Sequence, residues 1–152
     1  MSKVLIAVGT VYGGASEVAE QASALLQAQG IEALVTETPD IPALNDSEAL
    51  LVITSTTGSG DLPDNIAPFF AAISSEYPPL TGKPFGVIAL GDSSYGESFC
   101  QAGRRFEALL DDLGAKSLQS RLEIDAIEFF QPTDASEAWL KAWRDALVAF
   151  LP

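Results

Sequence analysis

The sequence predicts a doubly wound α/β domain, a parallel sheet with helices on both faces. Three observations carry this. Short unbroken apolar runs at 4–8, 50–53 and 85–90 read as strands buried on both faces, unlike the alternation of a half-exposed sheet. Good helix formers with helical spacing stand between strand candidates. Polar loops rich in Gly, Ser, Thr and Asp follow the first, third and fourth strands, which places all three loops at one sheet edge.

The elements follow in order. Residues 4–8 form the first strand and end at Gly9. Residues 16–29 form a helix, with Val18, Ala22, Leu25 and Leu26 recurring at helical spacing and Gly30 as its stop. Residues 31–36 and 50–53 are the second and third strands. Asp64 or Asn65 is the expected cap of a helix reaching Ser74, with Pro68 in its first turn, where proline is tolerated. Residues 85–90 are the fourth strand, and a helix over 99–113 stops at Gly114. Residues 115–124 carry the fifth strand. The last helix, 136–150, puts Trp139, Trp143, Leu147 and Phe150 on one face, a packing pattern. With no repeat, linker or low-complexity tract, residues 1–152 read as one domain, expected to be monomeric.

Composition excludes several classes. With 8 basic and 21 acidic residues the net charge is −13, against the basic face a nucleic-acid binder needs. There is no histidine, which removes Ser-His-Asp and Cys-His sites and His-ligated zinc. Cys100 is the only cysteine, so an internal disulfide, a CxxC pair and an iron–sulfur cluster are excluded. The apolar run at 4–8 is too short for a signal h-region or a membrane span, and a cytoplasmic address is expected.

The loop Gly9-Thr10-Val11-Tyr12-Gly13-Gly14-Ala15-Ser16 nearly fits the phosphate-loop pattern G-x-x-x-x-G-K-[ST], but Ala15 stands where the lysine belongs. It reads either as a tight strand-to-helix turn or as an anion site built from main-chain N–H groups, hydroxyls and a helix N-terminus. No basic residue lies between Lys3 and Lys83. A triphosphate would be poorly neutralised there, whereas one phosphomonoester can be satisfied by amides and hydroxyls.

Residues 56–65, Thr-Thr-Gly-Ser-Gly-Asp-Leu-Pro-Asp-Asn, resemble the second flavin loop of FMN-binding flavodoxin domains. Leu90-Gly91-Asp92-Ser93-Ser94-Tyr95, followed by Phe99-Cys100, resembles their third loop. The likeness is to the FMN domain of the sulfite reductase flavoprotein and to free-standing short-chain flavodoxins; Asp125-Ala126, Glu128-Phe129 and Trp139 resemble that family's C-terminal segment. The resemblance implies a flavodoxin-like three-layer sandwich, with a five-stranded parallel sheet in the order 2-1-3-4-5. It also implies FMN as cofactor, held by Thr10, Val11, Tyr12, Gly13, Gly14, Ala15 and Ser16 at the phosphate. Ser55, Thr56, Thr57, Gly58, Gly60 and Asp61 would lie on one side of the flavin, with Thr57 and Gly58 near its N5. Leu90, Gly91, Asp92, Tyr95, Phe99 and Cys100 would lie on the other, with Tyr95 stacked on the ring and Asp92 beside its pyrimidine end. Asp61 and Asp64 read equally well as solvated turn carboxylates. The first loop departs from the family's Thr/Ser-x-Thr-Gly-x-Thr pattern: Tyr12 and Ala15 replace two threonines, and Ser16 is placed to compensate.

The expected function is therefore that of a low-potential one-electron carrier rather than an enzyme. A flavodoxin/ferredoxin-NADP reductase would be the donor and an unidentified enzyme the acceptor, both docking through acidic loops. A phosphorylation receiver shares the strand order but needs an acidic cluster after the first strand and an Asp after the third, where Gly9-Thr10 and Thr54-Ser55 stand. The remaining alternative is a regulatory or interaction module with this fold and weak or lost FMN binding. Cys100 reads first as a small buried hydrophobe.

Overall fold

The computed structural model describes residues 2–10, 13–57, 60–126 and 131–151, apart from the side chains of Tyr95, Glu97 and Ser98. Val11, Tyr12, Gly58, Glu128, Phe129 and the Tyr95 ring, all named above, lie outside the described part.

The chain runs β1 (Lys3–Gly9), α1 (Gly14–Gln27), β2 (Glu32–Thr36), α2 (Ile41–Asn45), β3 (Ala49–Thr54), α3 (Ala67–Glu76) and β4 (Pro84–Gly91). A 3-10 segment (Ser93–Ser98) follows, then α4 (Gln101–Asp112), β5 (Lys116–Ser117), β6 (Leu122–Asp125) and α5 (Pro132–Phe150). The strands pair in parallel in the order β2-β1-β3-β4-β5, with β6 also on β4. The continuous apolar runs are explained by two cores. Val4, Ile6, Val8, Leu51, Ile53, Ile88 and Leu90 pack under α1 and α5. Leu5, Ala7, Leu50, Val52, Phe85 and Val87 pack under α3 and α4. β1, β3 and β4 thus bury both of their faces, while the edge strand β2 is largely exposed.

The two expected glycine stops hold. Gly30 has φ +75°, and Ile31 N–H bonds Leu26 O while Gly30 N–H bonds Gln27 O. Gly114, at φ +84°, repeats this with Ala115 to Leu110 and Gly114 to Asp111. Both are Schellman ends, satisfying carbonyls the helix leaves open.

Several expectations are corrected. The fifth strand is split: β5 pairs at Pro84 and Phe85, with Leu118 N–H still donating to Phe85 O, and β6 pairs at 88–91, while residues 119–121 leave the ladder between them. Trp139 Nε1 donates to Ser120 O, and Gln119 Nε2 donates to Trp139 O, so α5 takes up the departing chain. Helix α3 begins at Ala67 behind Ile66, with no side-chain cap, so neither Asp64 nor Asn65 caps it. Helix α4 begins at Gln101, not at 99; Phe99 is extended and Cys100, at φ +55°, is its N-cap. Helix α5 starts four residues earlier than expected, at Pro132, a residue pre-set for a first turn. Trp143 and Leu147 are buried, but Phe150 is 45% exposed and outside the core face. Helix α2, which the periodicity did not reveal, is one short turn capped by Asp40, whose Oδ1 accepts from Ala43 N at 2.9 Å. Among the described residues, no helix is long and apolar enough to cross a membrane.

Candidate functional site

β1 registers Gly9 against Thr54 of β3, and β4 registers Gly91 against Asp125 of β6. The loops after β1, β3 and β4 therefore leave the same edge of the sheet, side by side. α1 and α3 go to opposite faces, so the crevice between the ends of β1 and β3 is the switch point of the fold.

The first loop is closed by its own hydroxyl. Gly13 N–H donates to Thr10 Oγ1 at 2.8 Å, and Gly13, at φ +90°, then opens α1 without a side-chain cap. Helix geometry leaves the first N–H groups of α1, at Gly14, Ala15 and Ser16, without intrahelical partners. Gly9 is a point of close approach. A Cβ there would overlap Thr54 Oγ1 and lie 2.7 Å from Ile66 Cγ2, so β1 and β3 touch where both turn into loops.

The second loop folds on Thr57. Gly60 N–H donates to Thr57 O at 2.9 Å, Thr57 N–H to Asp61 O at 3.1 Å, and Asp61 N–H to Thr57 Oγ1 at 3.1 Å. Ser55 N–H donates to Gly9 O at 2.8 Å, binding this loop to the first. Thr56 Oγ1 accepts from Ala102 N at 3.4 Å, reaching the start of α4.

In the third loop Asp92 Oδ1 accepts from Ser94 N at 2.9 Å and Ser94 Oγ at 2.6 Å, and the 3-10 segment breaks at Gly96. Asp125 Oδ1 accepts from Ser93 N at 3.2 Å, and Ala126 N–H donates to Gly91 O at 2.8 Å. A Cβ on Gly91 would lie 2.7 Å from Cys100 N, so the loop closes tightly on α4. Cys100 is fully buried with Sγ 3.4 Å from Ala89 O; burial, then the Glu123 charge, push its thiol up to about 12. It is a protonated packing group at neutral pH, not a nucleophile.

Of the expected contact residues, the structure brings together Thr10, Gly13, Gly14, Ala15, Ser16, Ser55, Thr56, Thr57, Gly60, Asp61, Leu90, Gly91, Asp92, Phe99 and Cys100 at this edge. The side chains of Ala15, Leu90 and Cys100 belong to the core, so these three can meet a ligand only through main-chain atoms. Two further residues shape the site: Asp125, which ties the third loop down, and Asn65, which binds both Thr10 and Val8. Asn65 had a sequence signal, Asp-Asn before an apolar run, but it reads as a helix cap.

The three loops contain no lysine or arginine. Lys3 Nζ pairs with Asp46 at 3.1 Å, and Lys83 Nζ donates to Leu44 O and Ser47 O at 2.7 and 2.6 Å, all at the amino end of the sheet. Arg104, in the first turn of α4, is held bidentate by Glu123 through Nε at 2.7 Å and Nη2 at 3.1 Å. The bond to Arg104, with Arg121 adding to it, holds the Glu123 carboxyl below its usual range.

A family model described as flavodoxin matches residues 6–143. Flavodoxin YqcA of Pectobacterium carotovorum subsp. carotovorum is 44% identical over 151 residues, spanning 98% of this chain and 99% of that protein. Flavodoxin YqcA of Escherichia coli (strain K12) is 43% identical over 149 residues, spanning 97% and 99%. Among solved structures, a cysteine-to-serine mutant of flavodoxin from Pseudomonas aeruginosa matches with a TM-score of 0.90 at 44% identity, covering 95% of this chain and 98% of that one.

Proposed function

Because this chain belongs to the flavodoxin family of FMN-binding electron carriers, we propose that it passes single electrons from a flavodoxin/ferredoxin-NADP reductase to an acceptor enzyme. One FMN is held per chain, and when bound it supplies the electron-accepting ring.

The residues present fit that group. The observation that carries the assignment is a glycine turn without cations at the switch point, opening directly into α1. Thr10, Gly13, Gly14, Ala15 and Ser16 bind the phosphate through hydroxyls and the open N–H groups of the first helical turn, favoured by the helix dipole. Thr56, Thr57 and Gly60 shape one wall of the ring site. Gly91, Asp92, Tyr95 and Phe99 shape the other, with Tyr95 as the stacking aromatic. Asp61, Asp92 and Asp125 surround the site with negative charge. This opposes adding further negative charge and lowers the reduction potential.

The same carboxylates, with Asp64, form the docking edge for a basic partner. The test is the rate of reduction by such a reductase below saturation, with rising salt. The rate should fall as screening shortens to about 8 Å at physiological ionic strength. A rate independent of salt contradicts docking through these loops. Protein that neither purifies yellow nor takes up added FMN would favour an interaction module instead.

A further inference from the structure

Asn65 uses every polar group of its side chain. Nδ2 donates to Val8 O at 2.6 Å and to Glu37 O at 2.8 Å, and Oδ1 accepts from Thr10 N at 3.0 Å. Val8 and Thr10 flank the end of β1 and Glu37 lies just past β2, so one side chain ties the ends of both strands together. The β1–β2 ladder ends at Ala7 and Thr36, and Val8 and Glu37 are the next residues on each strand. The carboxamide therefore stands where the next rung would be, offering N–H groups to both strand ends and an oxygen to the chain beyond. On the other side of β1 the ladder with β3 continues to Gly9, whose carbonyl is held by Ser55 N. Residues 8–10 are thus fixed from both sides. The next bond in the series, Gly13 N–H to Thr10 Oγ1, hands that fixed position to the start of α1.

We propose that Asn65 is a positioning residue for phosphate recognition: it sets the first loop in its binding geometry before the ligand arrives. This rests on the reading that the loop takes the FMN phosphate. Neither aspartate nor alanine can replace it at this place. Aspartate has the same shape but no N–H groups and would set a carboxylate against two carbonyl oxygens. Alanine leaves Thr10 N, Val8 O and Glu37 O without this partner. A group that only stabilised the fold would weaken all flavin binding alike. A group that orients the loop should affect the phosphate selectively, since small misplacements forfeit directed hydrogen bonds.

The test compares FMN with riboflavin, which lacks the phosphate, in wild type, Asn65→Ala and Asn65→Asp, using flavin fluorescence quenching. Wild type should prefer FMN. Both variants should lose about tenfold or more in FMN affinity, the factor carried by one to two hydrogen bonds, while riboflavin changes by about threefold or less. Equal losses for the two ligands, or unchanged FMN affinity, overturn the proposal. Absence of FMN preference in wild type overturns the phosphate reading itself, and this inference with it. Amide exchange in wild-type protein stripped of FMN gives a second measurement that needs no variant to fold. The Thr10 N–H should be protected without ligand, and exchange at the rate of an open loop amide overturns the prior setting of the loop.

Discussion

At the amino end of the sheet, Lys3 pairs with Asp46 and Lys83 reaches the carbonyls of Leu44 and Ser47. At the carboxyl end, the loops after β1, β3 and β4 carry no cation, and hydroxyls, carboxylates and main-chain groups bond one another. The difference teaches how an acidic chain can bind an anion. Lys3 and Lys83 close the fold at the amino end, while the loops at the carboxyl end offer N–H groups, which can recognise a phosphate by direction rather than by long-range attraction. The arrangement separates stability from recognition, and substitutions at each end should separate them too.

The largest expected effect is at Gly9, where the two properties meet. Thr54 is fully buried, so it cannot yield to a new Cβ. Gly9→Ala should destabilise the protein by about 2–3 kcal/mol, the scale of overpacking, and weaken FMN binding as well. Urea unfolding and FMN titration together check this; a loss of neither breaks the claim of close approach.

Lys83→Met at the opposite end sharpens the comparison. It keeps the apolar stem but removes the donor to two carbonyls, and should cost about 1–2 kcal/mol of stability. FMN affinity should be unchanged by calorimetry. Weaker FMN binding would mean that the two ends are coupled.

The smallest effect is at Glu123, beside the third loop. Its pKa is lowered by Arg104 first, helped by Arg121, so its folded value lies below its unfolded one. Its stabilisation is then present above the unfolded carboxylate pKa and lost as pH falls through the folded value. With Arg104 40% exposed, solvent screening keeps the pair to about 1 kcal/mol or less. Glu123→Gln should lower stability at neutral pH by about 1 kcal/mol or less, leave it nearly unchanged below the folded pKa, and so flatten the acid side of the profile, as read from urea midpoints. An acid limb as steep as in wild type contradicts this.

What the sequence made legible follows from the range of the interaction. Strands β1, β3 and β4 announce themselves because burial on both faces demands unbroken apolar runs. Gly30 and Gly114 mark helix ends because positive φ is a local requirement. Helix α2 has five residues, too few to show a period. The split of the last strand depends on Trp139 and Gln119 trading main-chain bonds across the fold, which no local pattern encodes. The three loops could be placed at one edge from sequence alone, but not the bonds between them. Asn65 shows why. Its partners are 28 to 57 residues away, and a local reading of Asp-Asn before a helix finds only a cap.

The phosphate is proposed to be held by donors without positive charge, on a protein of net charge −13. The most direct measurement is the ratio of FMN to riboflavin affinity as ionic strength rises from low salt to about 1 M, where the screening length falls to about 3 Å. Riboflavin cancels the ring's contribution, leaving the phosphate. With no cation at the loop, salt mainly screens repulsion between the acidic protein and the phosphate. The ratio should therefore stay above one at every salt concentration and grow as salt is added. A ratio that falls with salt, as it does where a lysine or arginine holds the anion, would contradict it.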